Sequence, residues 1–160
     1  MKQVLILVFF LVASSVVQAQ HFNRYCNSVF PFCIEVPGNF NRSGSSLLGD
    51  GQFFKAKDGS TLDIYGSFNI ANETLQQRLD REQAALASDT TIANFTQIPT
   101  LGQAETQGNS FTVSYQHQAF TNFIYRKLTN NTWINLELKY PTAKAKEYEA
   151  KAQRMIESLK

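Results

Sequence analysis

Two stretches between Phe111 and Tyr140 alternate apolar and polar side chains with a period of two, and that pattern restricts the chain to sheet structure there. In the first, Phe111, Val113 and Tyr115 alternate with Thr112, Ser114 and Gln116; in the last, Ile134, Leu136 and Leu138 lie on one face and Asn135, Glu137 and Lys139 on the other. The segment Phe120–Leu128 lies between them, and Asn130-Asn131 supplies a tight turn. Three sequential strands joined by short turns are antiparallel neighbours, with one buried and one wet face. Pro141 ends the last strand, and a helix follows from about Ala143 to Leu159. Ala145, Tyr148, Ala152, Met155, Ile156 and Leu159 form its apolar stripe, with Lys144, Glu147, Glu149, Lys151 and Glu157 off it or at its edge.

Upstream, Arg24–Ser28 and Phe32–Val36 read as short strands around a turn at Pro31, and Pro37-Gly38 breaks the chain. Asn39–Gly49, rich in Ser, Gly and Asn, reads as a loop. Gln52–Ala56 and Ser60–Tyr65 form a hairpin through Lys57-Asp58-Gly59, where glycine accepts the positive φ of the turn. Thr74 with Gln77 three residues on fits a capping box for a helix carrying Leu75, Leu79 and Leu86, a thin stripe that predicts half burial. Ile92–Gln97 reads as a further strand closed by Pro99. The fold class is α+β: an antiparallel β-sheet with helices packed on it.

Residues 1–19 have the order of a secretory signal: a positive start at Lys2, an apolar run from Val4 to Val12, and Val17-Gln18-Ala19 before the cut. The run is short for a membrane span and no basic stop-transfer cluster follows it. Residues 20–160 then form a single domain, periplasmic or secreted. Loss of Lys2 leaves 14 basic against 13 acidic side chains, which removes any general attraction for nucleic acid or an anionic membrane. Cys26 and Cys33 are an even pair in an oxidising compartment, flanking a turn at Pro31, and read as a structural disulfide. Their spacing is not C-x-x-C, and two thiols alone make a poor metal site. Four N-x-S/T sequons, at Asn41, Asn72, Asn94 and Asn130, are glycan candidates if the source is eukaryotic.

Catalytic chemistry finds little support. His21 lies beside the cleavage point and His117 at a strand end; there is no G-x-S-x-G and no G-x-x-x-x-G-K. Asp50 and Asp58 each precede glycine, so turn duty accounts for them. No catalytic, cofactor-binding or metal-binding residue is assigned, and no cofactor is expected. The aromatics say more. Phe53/Phe54 and Trp133/Ile134 are adjacent pairs within strands, so one member of each points away from the helix-covered face. Either a second layer covers them, or Phe53, Phe54, Tyr125 and Trp133 form an apolar patch for a protein partner.

Four segments resemble the PsbP-like family of α/β/α sandwiches. They are Arg24-Tyr25-Cys26-Asn27 through Phe32-Cys33-Ile34-Glu35-Val36-Pro37, Gly49-Asp50-Gly51-Gln52-Phe53 through Asp58-Gly59 to Ile64-Tyr65-Gly66, Asn122-Phe123-Ile124-Tyr125-Arg126-Lys127, and Leu136-Glu137-Leu138-Lys139-Tyr140-Pro141 with the helix after it. The likeness spans most of Tyr25 to Leu159; the cysteine pair departs from the family's bare pattern. That family includes photosystem accessory subunits, nuclear transport factors, secretion-system chaperones and exported bacterial proteins, most of which act by binding a protein. With the leader, protein binding of this kind leads to the first expectation: a non-enzymatic exported module that binds another exported or envelope protein, in one version an immunity-type inhibitor of a toxin. An envelope-complex accessory subunit and a small secreted hydrolase are the alternatives. The leader has a direct check: intact-mass analysis of the exported protein is expected to find a chain beginning at Gln20, and retention of Met1 would exclude cleavage.

Overall fold

The computed structural model describes residues 21–88 and 109–160. The expected leader and the expected strand at Ile92–Gln97 lie outside the described residues. Two strands, β1 (Phe22–Cys26) and β2 (Cys33–Pro37), form an antiparallel hairpin. A second sheet holds β3 (Phe40–Ser45), β4 (Gly51–Ala56), β5 (Thr61–Phe68), β6 (Ser110–His117), β7 (Phe120–Thr129) and β8 (Thr132–Pro141). Its order is β3-β4-β5-β8-β7-β6, antiparallel throughout. Helix α1 (Leu75–Ser88) follows β5, and α2 (Ala145–Ser158) follows β8 through a single 3-10 turn.

The local signals translate into geometry. Asn130 and Asn131 take φ of 49° and 60°, the left-handed pair whose twist matches a two-residue hairpin between β7 and β8. Gly59 sits at φ 87° between β4 and β5. The capping box forms: the Gln77 amide donates to Thr74 Oγ1 at 3.2 Å, and the Thr74 amide to Gln77 Oε1 at 2.8 Å. One expectation fails. The segment from Asn39, read as a loop, contains β3, which pairs with β4 from Phe40 to Ser45 across a bulge between Arg42 and Gly44. Only Phe40 of that strand is buried, so backbone pairing at a sheet edge, with no apolar alternation, makes it a strand.

Both faces of the sheet carry a core. On one, Leu62, Ile64, Ile134, Leu136, Leu138 and Tyr140 pack beneath α2 and the β1–β2 hairpin. Residues Ile34 and Val36 of the hairpin and Tyr148, Ala152 and Met155 of α2 complete that layer. The end of α2 is stitched to β2 by reciprocal backbone bonds between Cys33 and Lys160, at 3.0 and 3.1 Å. On the other face Leu79 of α1 meets Phe111, Val113, Ile124 and Trp133. Asn69 braces the approach to α1, its side chain exchanging hydrogen bonds with the Glu73 backbone at 2.9 Å each way.

Helix α1 is also held by charge. The Arg126 guanidinium, with its side chain only 3% exposed, donates to Glu82 at 3.0 Å and to Glu137 at 2.6 Å, and Arg78 reaches Glu82 at 3.0 Å. Burial pushes the Glu82 carboxyl up, but Arg126 and Arg78 outweigh it and hold it below the usual carboxylate range. A depressed carboxylate stabilises above its unfolded pKa and loses that contribution as pH falls through the folded value. Urea midpoints should therefore fall on acidification below the ordinary glutamate range, and Glu82→Gln should flatten that part of the profile. A variant with an unchanged profile would remove Glu82 as the source. At Gly66 a Cβ would overlap the Phe30 ring, which sits directly on the glycine. Gly66→Ala is expected to cost about 1–3 kcal/mol in urea unfolding through forced overpacking.

Candidate functional site

Cys26 and Cys33 close the β1–β2 ladder as its last pair and are joined in a disulfide, with Cα atoms 4.0 Å apart. The turn they enclose is organised by Asn27. Its Oδ1 accepts from the Val29 and Phe30 amides at 2.8 Å each, and its Nδ2 donates to Tyr25 Oη at 3.0 Å and to the Gly49 carbonyl at 3.2 Å. Those bonds aim Phe30 at Gly66 and bring the turn against the β3–β4 loop.

Of the two readings of Phe53, Phe54, Tyr125 and Trp133, burial under a second layer holds for three of the four, and they form no exposed patch. Phe54 and Tyr125 lie in the core beneath the hairpin and α2. Trp133 is 1% exposed in the core beneath α1, with the Arg78 guanidinium 5.4 Å over its ring. Phe53 is half-buried opposite Asp63. A second layer covers Trp133 on the far side of the sheet, so the Trp133/Ile134 pair packs on both faces. Helix α1 is half buried, as its thin stripe predicts: Leu79 is its buried residue, Leu75 and Leu86 are partly buried, and together they cover Trp133.

The α1 side of the sheet turns polar beyond Trp133. Asp63 and Glu137 stand directly opposite each other on β5 and β8, and Tyr65 donates to Glu137 at 2.8 Å. Burial and the neighbouring Glu137 push the Asp63 carboxyl up. Burial also raises the Tyr65 hydroxyl, Arg126 opposing it and Glu137 adding to it, which keeps it a proton donor. Across the sheet's charged end, Asp58 accepts from Lys144 at 2.8 Å and from Tyr148 at 2.9 Å. Burial pushes its carboxyl up, and the bonds from Lys144, Ser60 and Tyr148 outweigh that and hold it well below the usual range. Glu137 and Asp58 are tied to cations and hydroxyls, and among the described residues no group of three or more His, Cys, Asp or Glu side chains is placed to hold a metal. His117 ends β6 opposite Phe120, and His21 pairs with Asn23 at 2.9 Å.

The opposite end of the sheet is apolar. Among the described residues the exposed large hydrophobics are Val29, Leu47, Leu48, Phe68 and Ile70. They come from the β1–β2 turn, the β3–β4 loop, and the end of β5 with the loop after it. Contacts draw these segments together: Gly66 N–H donates to the Asp50 carbonyl at 2.8 Å, Asn69 N–H to the Asn131 carbonyl at 2.9 Å, and Phe30 meets Phe68 edge-on at 5.1 Å. Beside them a cleft of about 100 Å³ opens between the β1–β2 turn and the β7–β8 hairpin. Phe30, Phe32 and Ile134 form its apolar wall, and Thr129, Asn130 and Thr132 its polar side. The loops Asn27–Phe32, Ser46–Asp50 and Asn69–Thr74 and the Asn130-Asn131 turn contain two charged residues, Asp50 and Glu73. Glu73 is neutralised by Arg81 at 2.7 Å. The signal that marks this end in the sequence is slight: Leu47-Leu48 inside a polar loop, too far from any alternating run to enter a core.

No protein-family model and no curated protein sequence matches this chain. Solved structures do. The Ran-binding protein Mog1p of Saccharomyces cerevisiae is 9% identical, with a TM-score of 0.59 over 89% of this chain and 96% of that one. A variant of Mog1 is 10% identical, with a TM-score of 0.59 over 88% and 95%. The solution structure of CyanoP, the PsbP of the cyanobacterium Synechocystis sp. PCC 6803, is 12% identical, with a TM-score of 0.60 over 94% and 98%. At such identities the likeness is one of architecture: the chain adopts the α+β fold of PsbP- and Mog1-like structures.

Proposed function

We propose that this chain is an exported, non-enzymatic module that binds another exported or envelope protein through the apolar loop end of its sheet. The observation that carries the reading is the clustering there of Val29, Leu47, Leu48, Phe68 and Ile70, on loops nearly free of charge. Isolated exposed hydrophobics are ordinary, but five on segments that meet at one end of the sheet, beside an apolar cleft, mark a surface that gains by being covered. Export is supported by the order of residues in the leader and by the disulfide, which suits an oxidising compartment. The fold neighbours supply a precedent, since one of them is named for binding Ran. An immunity-type inhibitor is the specific version in which the partner is a toxin.

Cross-linking in envelope extract, followed by affinity measurement with the recovered protein, tests this. Leu47→Asp combined with Ile70→Asp should weaken binding at least about tenfold, roughly 1.4 kcal/mol. Both side chains are exposed, at 105% and 88%, so stability should stay within about 0.5 kcal/mol of the parent. Undiminished binding by a folded double variant would rule out this surface.

A further inference from the structure

We infer that the cleft between the β1–β2 turn and the β7–β8 hairpin receives one uncharged aliphatic side chain from an extended segment of the partner protein. The inference rests on the docking role of the apolar end and assigns the chemistry of what enters it. Size comes first. The cleft measures about 100 Å³, smaller than the ~150 Å³ cavity that accommodates benzene, so a branched aliphatic group suits it better than an aromatic ring.

Charge comes second. The cleft is lined by no ionisable residue, and its apolar wall is made of Phe30, Phe32 and Ile134, at 5%, 3% and 7% exposure. A charged group entering it would lose water without gaining a counter-ion. The polar side decides between a peptide and a lipid surface. Thr129, Asn130 and Thr132 offer hydroxyl and amide groups beside the apolar wall. Immersed in acyl chains these would lose their hydrogen bonds. Against an extended peptide they meet backbone amides and carbonyls while alternate side chains point inward.

Both walls are set in advance. The Cys26–Cys33 disulfide and the Asn27 bonds hold the Phe30 side, and the left-handed Asn130-Asn131 turn holds the other. Little ordering is then required on binding.

The test uses the disulfide-bonded chain from Gln20 and its amide NMR spectrum. Three capped, uncharged-background heptapeptides of Ser and Thr carry Leu, Asn or Lys at the centre; phosphatidylcholine vesicles are titrated separately. The Leu peptide should shift the Phe32, Thr129 and Thr132 amides saturably, and the Asn and Lys peptides should bind at least ~10-fold more weakly. A Thr129→Trp variant, which plugs the cleft from an exposed position, should keep a folded spectrum and lose the Leu response. Equal responses to all three peptides, no response to the Leu peptide, or vesicle binding that replaces it would each overturn the inference. The recovered partner separates the two levels. If it binds Thr129→Trp normally but not Leu47→Asp with Ile70→Asp, the cleft assignment fails while the docking end stands. If it binds the double variant normally, the docking end itself fails.

Discussion

The structure depends on burying β8 from both sides. Ile134, Leu136, Leu138 and Tyr140 point into the layer made by α2 and the β1–β2 hairpin, while Trp133, on the other face, lies under α1. β8 carries an apolar row on one face and Trp133 on the other, and a separate layer covers each. Removing either layer would expose a large part of the core, since each fully buried side chain of this size contributes about 1.5–3 kcal/mol. The hairpin belongs to this arrangement: it fills the part of the layer that α2 leaves open and delivers Phe30 to Gly66.

The α1 face mixes apolar packing with a charged tie. Arg126 is almost completely buried and reaches carboxylates on both α1 and β8. Such a group is costly to desolvate, and losing one partner leaves an uncompensated charge. Through Glu82 it ties α1 to β7, and through Glu137 it ties β7 to β8. Beyond the reach of Leu79 the face becomes polar, so the same side of one sheet is core at Trp133 and hydrated near Lys139.

The molecule is polarised along its strands. Lys57, Asp58 and Lys144 gather at one end, whereas the loops at the other carry Leu47, Leu48, Phe68 and Ile70 with scarcely any charge. Within the core, aromatic residues are used for shape, as in the parallel stacking of Tyr140 on Tyr148 at 5.1 Å. The side chains suited to meeting a partner lie on the loops, because only there do large apolar groups stay outside both cores.

By itself the sequence determined whatever depends on a few neighbouring residues. The alternation at Phe111–Tyr115 and Ile134–Lys139, the left-handed turn at Asn130-Asn131, the Thr74–Gln77 capping box and the stripe of α2 are local, and each is recovered in the fold. The disulfide was legible too, because Cys26 and Cys33 flank one short turn. Tertiary structure alone decided the rest. Whether Phe54, Tyr125 and Trp133 were core or surface was open until α1, α2 and the hairpin covered them, and Phe40–Ser45 became a strand because β4 offered its edge. Which hydrophobic side chains remain outside is settled by packing between segments far apart in the chain, and no local pattern encodes that sum. The apolar end exists because three separate loops, none conspicuous in sequence, are brought to the same end of one sheet.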